Sequence, residues 1–331
     1  MTSRKIGVAI IGAGYWGRKL VGEYLALSKK RDDIQLKYVV DCDKDRLASV
    51  GKEFDLPGDM LMTDIFEVLK KRPVQAVHLA TPNETHFPLG MAVLECHKHL
   101  LLEKPMAMTM REALKVTRKA EEESVILNVG HIFRFNNAVR EARSLLTSGA
   151  IGKPLYYNMR WEALLKPPKN RDIIFDLGPH PTDVLNYLSN EWPVRVLALA
   201  KSFLREKPGQ EEVAEAFGEF EDSVFAHIAL SWLHAGPKRR HVSVTGDSGT
   251  IEVDALNQQI MLYHKGASKN HHVQVNNTIE SMITHFINNI VKDEAPQNSG
   301  LVGAMTVGVL SSMRESMKYG RFVNVIGGCV D

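Results

Sequence analysis

Three short segments carry residue types at spacings that could do chemistry. The first is Gly12-Ala13-Gly14-Tyr15-Trp16-Gly17, which follows a β-branched apolar run over 5–11 and opens an amphipathic stretch to about residue 27. In that setting Gly12 permits a tight turn, Gly14 lets backbone approach a pyrophosphate, and Gly17 allows close helix packing. The helix N-terminus offers its unpaired N–H groups to phosphates. Asp41 ends the next strand, 34–40, some two dozen residues beyond the last glycine. A dinucleotide fold places its ribose-binding acid there, accepting from the adenine-ribose hydroxyls and repelling a 2′-phosphate, which favours NAD over NADP. Lys44 and Arg46 stand close enough to keep NADP open, and Asp41 also reads as a helix N-cap. The second segment is Glu103-Lys104-Pro105, at the carboxyl end of an expected strand, where open α/β sheets bind ligands. Lys104 reads either as a cation that holds a hydroxyl and lowers its pKa, or as a surface residue paired with Glu103. The third is Asp176-Leu177-Gly178-Pro179-His180-Pro181, just before an amphipathic helix carrying Val184, Leu185 and Leu188. Pro181 disfavours helical geometry at His180, so His180 is expected at or just before the helix start, where the helix dipole favours a neutral imidazole. Asp176 would orient it. A capping aspartate beside a structural histidine is the alternative.

The elements that must position these groups change character along the chain. Strands over 5–11, 34–40, 76–80, 100–103 and 125–129 alternate with helical patterns at 84–95 and 111–122, implying a doubly wound parallel sheet in a Rossmann domain over 1–130. After one helix, 138–146, strand patterns follow at 155–161, 194–203, 214–220, 224–232, 241–245, 250–253 and 259–263. Short turns between them suggest an open, largely antiparallel mixed sheet in an α+β domain over 131–331 for substrate binding and oligomerisation. Helices return at 278–290 and 301–317, with 293–300 and the polar stretch 268–277 read as loops.

Composition limits the classes of function. The 331 residues suit two domains, and 41 basic against 39 acidic residues leave a formal charge of +2, so no global field favours nucleic acid or membrane. No run of about 20 apolar residues occurs and the start leads straight into a strand, so a cytoplasmic protein is expected. Cys42, Cys96 and Cys329 are scattered and odd in number, which fits a reducing compartment. Cys96-His97-Lys98-His99 and His271-His272 have metal-type donors without a second cluster at zinc spacing, so no metal is expected. Lys238-Arg239-Arg240 is too short to argue for nucleic acid. Trp16 reads as a cofactor shield, and Trp161, Trp192 and Trp232 as core or interface.

In order and approximate spacing, Gly12-x-Gly14-x-x-Gly17, Thr81-Pro82-Asn83 with His86, Glu103-Lys104-Pro105 and Asp176-x-x-x-His180 resemble the Gfo/Idh/MocA family of oxidoreductases. The resemblance implies that Lys104 positions the substrate hydroxyl and the nicotinamide ribose, that His180 takes the hydroxyl proton as hydride leaves, and that Asp176 orients or assists. It places Thr81, Pro82, Asn83, His86, Glu103 and Lys104 around the cofactor with Gly12, Gly14, Tyr15, Trp16, Gly17 and Asp41. Gly14-Tyr15-Trp16-Gly17 and Asp176-Leu177-Gly178-Pro179-His180 look most like the branch oxidising nucleotide-linked sugars, often at the 3-hydroxyl. The chain departs from that branch at Pro181, where Asp is common, and at Asn137, where the His131-x-x-Arg134-Phe135 phrase usually runs on to proline. His97 replaces a common glycine, at a turn where histidine tolerates positive φ. Arg160, Lys166, Lys169 and Arg171 would suit a phosphate or carboxylate on the substrate, and read equally as a solvated face. Other readings are an inositol or free-sugar dehydrogenase, a non-catalytic NAD-responsive regulator, and a Rossmann enzyme of amino-acid biosynthesis. Lys104 with His180 weighs against the regulator, and the Asp176/His180 pair against the biosynthetic enzyme. The open sheet has a face to cover, so a homodimer or homotetramer is expected.

Overall fold

Short apolar runs separated by amphipathic ones build the first unit. The computed structural model describes residues 5–167, 171–205 and 209–325, in two units: Met1–Gly130 with Ile279–Ala304, and His131–Thr278 with Met305–Asp331. The first unit runs β1 (Ile6–Ile11), α1 (Tyr15–Lys30), β2 (Ile34–Val40), α2 (Lys44–Phe54), β3 (Leu61–Met62), α3 (Ile65–Leu69), β4 (Ala76–Leu79), α4 (His86–Glu95), β5 (His99–Leu102), α5 (Met110–Glu122) and β6 (Leu127–Val129). The strands form one parallel sheet in the order β3-β2-β1-β4-β5-β6. Its order reverses between β1 and β4, the position at which doubly wound sheets open a ligand crevice. β4 is buried along its whole length and β1 from Gly7 onward, as expected for strands covered on both faces. On α1, Leu20, Val21, Tyr24 and Leu27 form the buried stripe.

Helix α2 has no counterpart in the expected elements. Asp43 caps it, accepting from the N–H groups of Asp45 and Arg46, and this leaves Asp41 for another role. The turn before β5 holds His97 at φ +52°, the left-handed conformation expected there. The Lys104–Pro105 peptide is cis.

The second unit contains α6 (Asn137–Thr147), β7 (Pro154–Glu162), α7 (Ile173–Asp176), α8 (Pro179–Ser189), β8 (Arg195–Lys201), β9 (Val213–Glu219), β10 (Phe225–Ser231), β11 (Arg239–Gly246), β12 (Gly249–Asp254), β13 (Gln259–His264) and β14 (Ala267–Asn270). Next in the chain are α9 (Thr278–Lys292), which belongs to the first unit from Ile279, α10 (Gly300–Tyr319), which belongs to the second from Met305, and strand β15 (Val323–Asn324) of the second. The sheet order is β14-β13-β12-β11-β7-β10-β9-β8-β15, with β7 and β10 parallel and the other pairs antiparallel. Strand β14 falls where a loop was expected. Lys265 and Gly266, both at positive φ, turn the chain tightly enough for β14 to pair with β13, although all four of its residues are exposed and carry no apolar alternation.

Alternation divides this sheet into two faces. Tyr157, Met159 and Trp161 of β7 and Ala226, Ile228 and Leu230 of β10 are buried, and α8 packs on these two strands. The opposite face carries Tyr156, Phe217, Phe225 and His227, with Phe217 stacked on Phe225 at 6.0 Å and on His227 at 4.9 Å. Trp161 and Trp232 are core residues.

Candidate active site

The glycine turn meets its physical requirements. Gly12 has φ +98°, and a Cβ there would lie 2.4 Å from the Ala80 carbonyl oxygen, while a Cβ on Gly17 would run into the Gly12 carbonyl. A Cβ at Gly14 would meet nothing within 4 Å. Packing within the unit therefore does not demand glycine at 14, whereas close approach of a phosphate would. No side chain caps α1 and its first turn has no acidic residue, so its N-terminus suits an anion. These features fit a dinucleotide.

Asp41 is enclosed and ties the end of β2 to this turn. Its Oδ2 accepts from the Ala13 N–H at 2.8 Å, its Oδ1 from the Asp43 N–H at 3.0 Å, and Arg46 Nη1 donates to both oxygens. Burial pushes its pKa up, but the two backbone N–H groups and Arg46 outweigh it and hold the carboxyl below its ordinary range. A carboxylate charge of the kind that would disfavour a 2′-phosphate is thus present, with the Arg46 cation beside it. Asp41→Ala should raise the Kd for NAD by roughly 10- to 100-fold, the loss of about 1.5–3 kcal/mol from charged hydrogen bonds, and narrow the preference over NADP. Fluorescence titration with both cofactors measures this, and an unchanged NAD/NADP ratio would show that another group reads the ribose.

The Glu103-Lys104-Pro105 turn rests on a buried polar chain. His78 Nε2 lies 3.2 Å from Glu103 Oε1, and His78 Nδ1 3.2 Å from the Tyr24 hydroxyl. A neutral ring protonated at Nε2 satisfies all three, with Tyr24 donating to Nδ1 and Nε2–H to the carboxylate. Burial raises the Glu103 pKa, but the His78 contact first, then Trp16 and the Lys104 charge, bring it below the ordinary range. Glu103 is therefore a buried anion at the base of the turn. Trp16, from the glycine segment, faces it. Among the neighbouring candidates, Asn83 is buried and the Thr81 hydroxyl accepts from Thr85 at 2.7 Å. Tyr15 is exposed, with Lys19 over its ring. His86 has both ring nitrogens on backbone carbonyls, an arrangement that turns its polar atoms into the protein.

In the second unit the structure brings Asp176 and His180 onto two consecutive short helices. Asp172 caps α7 through the Phe175 N–H, pairs with Arg314, and Arg314 covers the Phe175 ring at 3.7 Å. Gly178 makes the α7–α8 turn possible, since a Cβ there would lie 2.3 Å from the Ile174 carbonyl. His180 is the second residue of α8, inside the helix and not ahead of it. Prolines at the first and third helical positions cost no intrahelical hydrogen bond, so the restriction from Pro181 is overridden. Phe133 meets His180 edge-on at 5.2 Å and Trp161 at 5.5 Å. Three residues past His180, buried Asp183 accepts from Arg134 Nε at 2.6 Å, and Arg134 Nη2 reaches Asn186 at 2.6 Å. The His131-x-x-Arg134-Phe135 segment thus anchors the helix carrying His180.

The basic candidates separate. Arg171 Nη1 lies 3.5 Å from Asp176 Oδ1. Arg160 is exposed on the sheet face opposite Trp161, away from α8, and Lys166 is exposed. Lys169 lies outside the described residues. Arg240, discounted in the sequence, is buried on β11 directly opposite Trp161. Burial brings its pKa down to about 10, with the Asp176 charge pulling the other way. Its signal was an arginine at an inward position of an alternating strand, as His78 was a polar residue inside an apolar one. Among the described residues no group of three or more His, Cys, Asp or Glu side chains could hold a metal.

Comparison with known proteins agrees with this geometry. A family profile described as "Oxidoreductase family, NAD-binding Rossmann fold" matches residues 6–131, and one for the GFO/IDH/MocA C-terminal domain matches 139–252. UDP-N-acetylglucosamine 3-dehydrogenase of Acidithiobacillus ferrooxidans is 29% identical over 78% of this chain and 77% of that protein. The NAD+-dependent scyllo-inositol 2-dehydrogenase of Bacillus subtilis is 27% identical over 68% of each. Levoglucosan dehydrogenase, solved with NADH and levoglucosan, shares the fold with a TM-score of 0.89 at 17% identity, over 98% of this chain and all of that one.

Proposed function

Given that the chain belongs to the Gfo/Idh/MocA family and is an NAD-binding oxidoreductase of the sugar and polyol class, we propose that it oxidises a secondary hydroxyl of a nucleotide-linked sugar, at the 3-position. The observation that carries this reading is the anchored placement of His180 in the first turn of α8, four residues after Asp176. The name of the A. ferrooxidans relative supports the substrate class.

In this reading the glycine turn and the α1 N-terminus bind the pyrophosphate, Asp41 the adenine ribose, and Trp16 with Thr81, Pro82 and Asn83 flank the cofactor. NAD, when bound, supplies the hydride acceptor. Lys104 donates to the substrate hydroxyl oxygen and lowers its pKa. His180 accepts the hydroxyl proton, and the Asp176 carboxylate orients the ring and stabilises its charged form. Arg171 and Arg240 place positive charge beside Asp176, suited to an anionic group on the substrate. In this reading the cofactor domain is 1–130 and the substrate domain lies within 131–331, except that Ile279–Ala304 clusters with the first unit and not, as expected, with the second.

The test is nicotinamide absorbance with NAD against UDP- and dTDP-linked sugars, inositols and free sugars. Reduction with a nucleotide-linked sugar is expected, and reduction with inositols or free sugars alone would overturn the substrate class. Lys104→Ala should lower kcat by about 10²–10³-fold while the Kd for NAD stays within a few-fold. Lost cofactor affinity with normal turnover at saturation would refute its role.

The Tyr156, Phe217 and Phe225 face of the second sheet is the surface we assign to a second copy of the chain. Sedimentation should show a dimer or tetramer, and Phe225→Glu should dissociate it; a wild-type monomer at micromolar concentration would exclude the assignment.

A further inference from the structure

His86 opens α4 and is enclosed, 1% exposed. Its Nδ1 lies 2.8 Å from the Pro105 carbonyl oxygen and its Nε2 2.9 Å from the Thr81 carbonyl oxygen. A carbonyl oxygen only accepts, so each contact is a hydrogen bond only where that ring nitrogen carries a proton. A neutral imidazole carries one. With a single proton, one lone pair would face a carbonyl oxygen at hydrogen-bond distance in a site closed to water, leaving two buried acceptors opposed. The geometry calls for an imidazolium.

We propose that His86 is a positioning residue for Lys104, which it serves as an imidazolium by joining the Thr81-Pro82-Asn83 turn after β4 to the carbonyl of Pro105. The proposal rests on the reading of Lys104 as the hydroxyl-binding lysine. Thr81 follows β4 and Pro105 follows β5, so the ring spans two adjacent strand ends on the carboxyl edge of the sheet. That edge presents the segments assigned to the cofactor and to Lys104. The Lys104 stem starts from this turn, so holding the turn fixes the point from which the ammonium reaches the site.

The groups that face the ring decide when the bridge is whole. Burial opposes the second proton most strongly, the two carbonyls and the Glu103 carboxylate favour it, and the Lys104 ammonium opposes it. The net direction is below the ordinary histidine value. The doubly protonated ring is therefore the acid form: both ends hold below its pKa, and one end is released as pH rises through it.

The test uses the wild-type full chain, labelled with 15N in histidine side chains and lysine backbone, and followed by NMR across pH. The expected result is a His86 titration below about pH 6.5, the ordinary midpoint, with both ring nitrogens protonated on its acid side. The Lys104 amide should shift with the same midpoint. His86→Gln identifies the ring signals and should erase the step from the Lys104 amide. In kinetics on the acid side of that midpoint, where the bridge is whole, the same variant should lower kcat by about 10- to 100-fold while the Kd for NAD stays within about threefold. A His86 ring that stays neutral throughout, a Lys104 amide that ignores its titration, or a His86→Gln enzyme with wild-type kcat would each overturn the proposal. If the amide follows His86 but Lys104→Ala turns over normally, the bridge stands and the catalytic reading of Lys104 is what fails.

Discussion

His180→Ala is expected to lower kcat by about 10²–10⁴-fold, the usual contribution of a positioned general base, and to leave the Kd for NAD unchanged. His180 is read as the proton acceptor and not as a group that binds the dinucleotide, a role carried in this reading by the glycine turn and Asp41, so its removal should leave cofactor affinity in place. Its ring meets Phe133 edge-on at 5.2 Å, and alanine removes the imidazole while remaining compatible with the first turn of α8. The limb of the kcat/KM profile that reports loss of a proton from a base should vanish in the variant. Single-turnover absorbance across pH with saturating NAD is the measurement. A retained rate with an unchanged profile would mean that another group takes the proton.

Asp183→Ala should destabilise the protein by about 3–5 kcal/mol, the typical cost of removing one partner from a buried ion pair. Asp183 and Arg134 are both enclosed, with Arg134 Nε 2.6 Å from Asp183 Oδ1, and the deletion leaves a guanidinium in a site that has excluded water. Asn186 at 2.6 Å from Nη2 is neutral and does not replace the charge. Arg134 also lies over the Tyr187 ring at 5.3 Å, so its misplacement disturbs a second contact of α8. Because this helix presents His180, kcat should fall along with stability. Urea unfolding followed by circular dichroism gives the magnitude, and a loss below about 1 kcal/mol would show that the pair is not a structural anchor. Combining it with Arg134→Met should recover much of the loss, since the uncompensated charge is then gone.

The segments whose chemistry is local were legible in the sequence. The glycine spacing, the strand before it, the acid at the end of the next strand and the alternation of strands with helices follow from backbone sterics and periodicity. Each is set by residues within about two dozen positions of one another. Lys104 and His180 stood out for the same reason, each beside a proline that constrains its neighbourhood, and Asp176 lies two residues before Gly178. What only the tertiary structure decided are the partners. His78 reads as an oddity in an apolar strand until Tyr24 and Glu103 close on it, and Arg240 as part of a basic triplet until alternation turns it inward toward Trp161. Arg160 and Trp161 are adjacent in the chain yet fall on opposite faces of the sheet, because successive strand side chains alternate. Arg134 and Asp183 are 49 positions apart, and no local rule pairs them. Burial and charge pairing depend on which surfaces exclude water together, and that is a property of the assembled chain.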